Sequence, residues 1–143
     1  MPYRYLDEIS IADIAFEAWG ESLEETFMAS ADATLNVMVE ELDAIRPLVT
    51  REIRLENEAL DLLLFDMLQE MIYYKDAQRL LLRIKGLEIR KGEGDYFLQA
   101  VAAGEEIDPG RHPLRLDVKA VTLHRFALVK DDRGWKATAI LDV

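Results

Sequence analysis

The chain has 143 residues, half of them hydrophobic, and its 28 acidic and 17 basic side chains give a formal net charge of −11. This composition excludes a disordered chain, a disulfide framework, a cysteine-based zinc site and a bilayer-spanning apolar run, and the acidic charge disfavours direct, tight binding of nucleic acid. Because the N-terminal residues also lack the basic-then-apolar order of a signal peptide, we expect a cytoplasmic protein with one domain over residues 1–143, not associated with a membrane.

The first predicted elements are a strand and a helix. The stretch "ADIAFEAWG" (12–20) alternates between apolar and other residues, which is typical of a half-buried strand. A helix is predicted to open at Ser22, because Glu25 stands three residues later as in a capping box. Apolar or small side chains then recur at intervals of three and four: Leu23, Phe27, Ala31, Leu35, Met38 and Leu42.

A second helix is predicted from about Glu58 to Tyr74. Its apolar face consists of Leu60, Leu63, Leu64, Met67, Leu68, Met71 and Ile72. Both helices look amphipathic and one-sided, so each is expected to pack on a sheet. One strand is expected between them, and "LLLRIKGLEIRKG" (80–92) is predicted to form another directly after the second helix.

The remaining sequence divides into an excursion and a strand pair. Residues 92–113, "GEGDYFLQAVAAGEEIDPGRHP", hold four of the seven glycines and are predicted to be a long, partly irregular connection. Residues 114–143 predict two long strands joined by the turn "KDDRG". The fold class is therefore predicted as α+β: two amphipathic helices on a mostly antiparallel or mixed sheet, in a single compact domain.

Standard catalytic motifs are absent from the sequence. It contains no P-loop, full GxGxxG, GxSxG or HExxH pattern. His112 falls in a predicted loop and His124 in a predicted strand, and two histidines in separate elements do not make a zinc site by themselves.

Two carboxylates stand in unusual places. Asp13 interrupts the apolar run of the first predicted strand, and Asp142 interrupts the last one, next to the main-chain carboxylate of Val143. If these strands are neighbours, three oxygen donors converge and require a cation or raised pKa values. Oxygen donors without sulfur or imidazole favour Ca²⁺, Mg²⁺ or Mn²⁺. The alternative is an edge strand whose aspartate points into water.

The chain resembles the archease family over nearly its whole length. The resemblance lies in an ordered set of segments: "ADIAFEAWG", "SLEETFMASADATLNVM", "EALDLLLFDMLQEMIY", "GEEIDPGRH", "DVKAVTLHRFAL" and "GWKATAILDV". Many archeases carry His-Thr-Ala-Asp where this chain has Ser10-Ile11-Ala12-Asp13, so Ser10 takes the place of that histidine.

The resemblance implies a function and a site. Archeases are small acidic proteins that assist the RtcB-type RNA ligase of tRNA splicing, promoting its guanylylation and its multiple turnover. By this resemblance the protein is expected to be an accessory protein of the ligase and not an enzyme. The resemblance also implies a divalent-metal site, in the family described with calcium, at Asp13, Asp142 and Val143, with Mg²⁺ or Mn²⁺ as the other candidates.

Two other functions stay open at this stage. A metal-dependent phosphoester hydrolase could use the same carboxylates with His124, Glu17 or Asp61 as the base, although no spacing selects any of them. A general protein chaperone could hold unfolded clients on the apolar faces of the helices. The one-sided pattern of the helices disfavours the chaperone, because those faces are needed for the core.

Overall fold

The computed structural model describes residues 2–6 and 12–143, and the elements below are those of the described part. Its helices are α1 (Leu23–Met38) and α2 (Leu60–Gln78). Its strands are β1 (Tyr3–Tyr5), β2 (Asp13–Gly20), β3 (Val49–Asn57), β4 (Leu80–Lys91), β5 (Tyr96–Glu106), β6 (Ala120–Asp131) and β7 (Gly134–Asp142).

The strands form two antiparallel sheets where the sequence predicted one. The four-stranded sheet has the order β1-β2-β7-β6, and the three-stranded sheet has the order β3-β5-β4. Each helix contacts both sheets: α1 packs against β2 and β4, and α2 packs against β6 and β4. The α+β class with two packed helices is confirmed, and the core lies where the helices meet both sheets.

Helix α1 begins as predicted and ends earlier than predicted. The Ser22 hydroxyl accepts a hydrogen bond from the amide of Glu25 at 3.1 Å, and the Glu25 carboxylate accepts one from the amide of Glu21 at 3.1 Å. The last helical residue is Met38, so Leu42 lies in a separate 3₁₀ helix, Leu42–Ala44. The apolar spacing of three and four thus continued by chance beyond the helix.

Helix α1 is buried on more sides than its apolar residues alone predict. Thr26, Ser30 and Thr34 are buried although they are polar. Their hydroxyls donate to the carbonyl four residues earlier, at 3.0, 2.8 and 2.9 Å. Because these groups are satisfied within the helix, they can be buried without an unpaired donor, and the helix can contact both sheets.

Helix α2 continues a turn beyond the predicted end at Tyr74. The added turn contains Lys75, which is buried and donates from Nζ to Asp117 Oδ1 at 2.6 Å and to the Val118 carbonyl at 2.7 Å. The last helical residue is Gln78, and the C-cap that follows it, Arg79, has a φ of 55°, in the left-handed region. In the sequence Lys75 is typical of a polar residue just after a helix, but in the structure it joins α2 to the segment before β6 through these two hydrogen bonds.

The predicted excursion over 92–113 is wrong for its middle part. Residues Tyr96–Glu106 form β5, the central strand of the three-stranded sheet, with Leu98, Ala100 and Ala102 buried. Alanine and glycine have low strand propensity, so the burial between two neighbouring strands outweighs it. The predicted strand over 80–92 is confirmed as β4. The terminal strand pair is also confirmed, although β6 starts at Ala120 and not at residue 114.

Candidate functional site

Asp13 and Asp142 lie directly opposite each other in β2 and β7. One residue further out, the amide of Val143 donates to the carbonyl of Ala12 at 2.9 Å. This makes Asp13 and Asp142 a non-hydrogen-bonded pair, whose side chains lie on the same face with Cβ atoms about 5 Å apart. The condition stated for this site, that the strands of Asp13 and Asp142 are neighbours, is met in the structure.

Side chains alternate between the two faces of β2 and β7, and this alternation puts Asp13 and Asp142 on the face opposite the main core. The opposite face of these strands carries Phe16, Ala18, Ala137 and Ala139, which are buried in the core. The face of Asp13 and Asp142 continues with Ala15 opposite Ile140, and this pair is buried as well. The half-buried carboxylates therefore have apolar neighbours on one side, where charge is poorly screened. We call Asp13 and Asp142 the carboxylate pair.

The donors of the carboxylate pair suit a hard cation. Asp142 takes part in no ion pair within residues 2–6 and 12–143, and its carbonyl oxygen accepts from the amide of Lys119 at 2.8 Å. The described residues contain no cluster of three or more His, Cys, Asp or Glu side chains arranged to hold a metal ion. The predicted set therefore depends on a main-chain oxygen of Val143 as its third donor, and its all-oxygen chemistry fits Ca²⁺, Mg²⁺ or Mn²⁺.

The two acidic candidates for a general base lie in different surroundings. Glu17 is on the same face of β2 as Asp13, where it accepts from Arg4 Nε at 2.8 Å and lies 3.6 Å from Lys136 Nζ. The hydrogen bond from Arg4 is the main cause that lowers the pKa of Glu17, and a carboxylate of low pKa is a weak base near neutrality. Asp61 is exposed in the first turn of α2, where it accepts from the amide of Leu62.

His124 belongs to an irregular projection of β6 that the sequence did not indicate. The register of β6 against β7 shifts between Thr122 and Ala127, and Arg125 has a φ of 56°. Leu123, His124 and Arg125 are exposed, with Leu123 at 59%. We call residues 123–125 the β6 bulge. Because Ala120 pairs with Asp142 and Thr122 with Ile140, the bulge starts close to the carboxylate pair.

His112 lies in a loop, as predicted, but it is buried in a network that the sequence did not reveal. Glu105 at the end of β5 accepts from the amide of Arg46 at 2.6 Å and from its Nη2 at 3.1 Å, and it is ion-paired with Arg111. His112 Nε2 lies 3.2 Å from the same carboxylate, and its Nδ1 accepts from the amide of Asp108 at 2.9 Å. These contacts join the 3₁₀ helix region, β5 and the loop after it.

The electrostatics of this network favour an ionised Glu105. Burial raises the pKa of Glu105, but hydrogen bonds from the amide and guanidinium of Arg46, from Arg111 and from His112 outweigh burial and leave the pKa well below its ordinary value. The network is therefore structural: the buried charge of Glu105 is paired and hydrogen-bonded by Arg46, Arg111 and His112.

Two further predictions concern Ser10 and the association with a membrane. Ser10, the residue that replaces the histidine of many archeases, lies outside the described residues. Among the described helices, none has both the length and the apolar character needed to cross a membrane.

Comparisons with known proteins agree on one family. The model of the Archease protein family (MTH1598/TM1083) matches residues 3–143. The protein archease of Methanosarcina mazei is 36% identical over 142 residues, which are 99% of this chain and 95% of that protein. The protein archease of Pyrococcus abyssi is 36% identical over 133 residues, which are 92% of this chain and 93% of that protein. The solution structure of Methanobacterium thermoautotrophicum protein 1598 matches with a TM-score of 0.85 and 32% identity over 99% of both chains. A Thermotoga maritima archease, described as a possible chaperone, shares the fold with a TM-score of 0.58 and 19% identity over 94% of this chain and 93% of that one.

Proposed function

The chain belongs to the archease family, and from this membership we propose that it is an accessory protein of an RtcB-type RNA ligase in the cytoplasm. In this role it promotes guanylylation of the ligase and multiple turnover, and it is not itself an enzyme. The observation that carries the proposal is the carboxylate pair, in which Asp13 and Asp142 are register partners at one end of the sheet.

The carboxylate pair and Val143 would hold a divalent cation, with Ca²⁺ as the first candidate and Mg²⁺ or Mn²⁺ as the others. When bound, such a cation supplies positive charge that can neutralise or orient phosphate oxygens. The contribution of the protein is the geometry: β2 and β7 are paired over eight residues, so the two carboxylates are held in one register before a cation arrives.

The surroundings of the pair are suited to a protein partner. The β6 bulge begins roughly 10 Å along the strand from Ala120, the register partner of Asp142, and its exposed Leu123, His124 and Arg125 offer an apolar side chain and hydrogen-bond donors for contact. The net charge of −11 favours approach to a basic surface, such as the one that an RNA-binding enzyme needs for its substrate. We therefore place the ligase contact at this end of the sheet.

The ligase assay tests the proposal directly. Wild-type protein should raise the rate of ligase guanylylation, whereas Asp13→Asn and Asp142→Asn should each abolish the increase, because an amide keeps the shape of the side chain and loses its charge. Glu93→Gln is the matched control, since Glu93 is exposed in the turn between β4 and β5. Circular dichroism should show that all variants are folded. The proposal is wrong if both aspartate variants fold and stimulate fully, or if the wild type does not stimulate.

Calcium should also stabilise the isolated protein. A ligand that binds only the folded state adds about 2.7 kcal/mol at a free concentration about one hundredfold above its Kd, which corresponds to a rise in Tm of several degrees. We expect this rise for the wild type and for Glu93→Gln, and its loss in Asp13→Asn and Asp142→Asn, as measured by differential scanning calorimetry. An equal rise in all four proteins would place the cation elsewhere.

The two alternative functions have less support. The hydrolase requires a general base, and the candidate Glu17 is already paired with Arg4 and Lys136. Phosphoester turnover by the isolated protein that is lost in Asp13→Asn would favour the hydrolase. The chaperone requires exposed apolar surface. In the described structure Leu62 and Tyr73 are the exposed large apolar side chains of the helices, and the others are in the core or partly buried against it.

A further inference from the structure

Both tryptophans of the chain line one open groove at the end of the four-stranded sheet that is far from the carboxylate pair. Trp19 lies near the end of β2 and Trp135 near the start of β7, and the groove between these strand ends and α1 has a volume of about 890 Å³. Asp13 is six residues before Trp19 in the same strand, so the two sites are roughly 20 Å apart. We call this feature the tryptophan groove.

The groove is built by elements that are fixed in place. From α1 it receives Glu25, Met28 and Asp32, whose spacing of three and four residues puts them on one face of the helix. Opposite, the turn between β6 and β7 comes very close to the end of β2: a Cβ on Gly134, which has a φ of 134°, would lie 2.3 Å from the carbonyl oxygen of Gly20. The groove is therefore a preformed feature of the fold.

The charges of the groove are predominantly negative. Its lining has four carboxylates, from Glu21, Glu25, Asp32 and Asp131, and two cations, from Arg133 and Lys136. Lys136 is already 3.6 Å from Glu17, and Asp32 is 3.4 Å from Arg83. Glu21 and Asp131 are exposed and belong to no ion pair in the part of the chain that is described. Within the described residues Glu25 and Arg133 also form no ion pair, so three carboxylates of the lining remain against one cation, which leaves two negative charges for a cation from outside.

The aromatic rings of the groove add a second attraction for cations. Trp19 is 39% exposed, so part of it is accessible to a partner from solvent. Trp135 already attracts one cation, because Lys130 Nζ lies 5.7 Å from the centre of its ring. A planar guanidinium combines stacking on such a ring with paired hydrogen bonds to a carboxylate, which an ammonium group does less well.

We propose that the tryptophan groove binds an arginine-bearing segment of a partner protein, with the guanidinium against Trp19 and its N–H groups donating to Glu21 or Asp131. The proposal rests on the charge and the aromatic character of the groove. It is independent of the cation at the carboxylate pair and of the identity of the ligase as the partner.

Tryptophan fluorescence tests the proposal without a label, because both tryptophans of the chain are in the groove. The probe is the peptide acetyl-Gly-Arg-Gly-Arg-Gly-amide, titrated at an ionic strength of about 0.15 M to suppress long-range attraction. We expect a saturable change in emission with this peptide. The same peptide with citrulline in place of arginine, which keeps the shape and removes the charge, should produce none. An absent change with the arginine peptide, or an equal change with citrulline, would overturn the proposal.

Matched charge variants separate the groove from the overall acidity. The double variant Glu21→Gln/Asp131→Asn should bind the arginine peptide with roughly tenfold lower affinity, since each exposed carboxylate contributes modestly to the binding free energy. Glu58→Gln/Glu93→Gln has the same change in net charge, at exposed sites outside the groove lining, and should bind like the wild type. Equal affinity of the two double variants would contradict the proposal. Because the carboxylate pair is intact in both, this result is independent of the ligase assay.

Discussion

Gly104→Ala is expected to destabilise the protein by more than about 3 kcal/mol, as a steric clash with backbone that cannot relax within its sheet. Gly104 is buried in β5, where it pairs with Leu82 of β4 on one side and with Val49 of β3 on the other. A Cβ at this position would lie 1.7 Å from the carbonyl oxygen of Leu81 and 2.8 Å from its carbonyl carbon. Room for the methyl group therefore requires β4 and β5 to separate.

Urea unfolding at equilibrium measures this loss, and Gly86→Ala is the matched control. Gly86 lies in β4 beside its register shift, and a Cβ there would have no atom within 4 Å. We expect the free energy of unfolding of Gly86→Ala to lie within about 1 kcal/mol of the wild-type value. A comparable loss in both variants would mean that the effect is not the clash at Gly104 but a general sensitivity of β4 and β5 to a methyl group.

Glu105→Gln is expected to cost about 3 kcal/mol at neutral pH, the second-largest effect. The substitution removes the charge that two arginines surround and brings an amide donor against the N–H groups of Arg46, Arg111 and His112. Partial exposure of both arginines, which allows water to replace some contacts, keeps the cost from being larger. Glu106→Gln is the control, because Glu106 is the exposed neighbour and should change stability by less than about 0.5 kcal/mol.

The stability lost in Glu105→Gln should also depend on pH, because it arises from the charge of the Glu105 carboxylate. The pKa of Glu105 is lower in the folded state than its ordinary value of 4.5, so its contribution is complete above that value and is lost as the pH falls below it. The difference in unfolding free energy between the wild type and Glu105→Gln should therefore be constant from about pH 7 to about pH 5.5 and shrink toward about pH 3. A difference that is unchanged at low pH would show that the charge of Glu105 is not what stabilises the network.

The parts of the fold that follow from the sequence are those where local pattern and burial agree. Strands β2, β4 and β7 and the start of α1 were predicted because alternation and capping are local signals. Strand β5 was missed because its Ala-Ala-Gly run has no strand preference of its own. Those small residues are instead required by the close approach of β4, which is a tertiary property.

The candidate sites differ in the same way. Asp13 and Asp142 were identified because each interrupts an apolar strand, and the structure then shows that their strands are paired. Glu105, Arg46 and Arg111 carried no such signal, since in sequence they look like ordinary solvated charges and only the fold buries them together. Trp19 and Trp135 are likewise far apart in the chain, and only the pairing of β2 with β7 brings both to the lining of one groove.

The pairing of Asp13 with Asp142 also has a consequence for how the chain folds. The β6–β7 hairpin and the β3–β5–β4 sheet can form from segments that are closer in sequence, but β2 must wait for β7, the last strand. Closing a loop of nearly the whole chain is entropically costly, and contacts of this range form slowly. The carboxylate pair is thus assembled among the last contacts, after translation has passed residue 142. A partner that recognises this pair would engage molecules in which β2 and β7 are already paired and pass over half-folded ones.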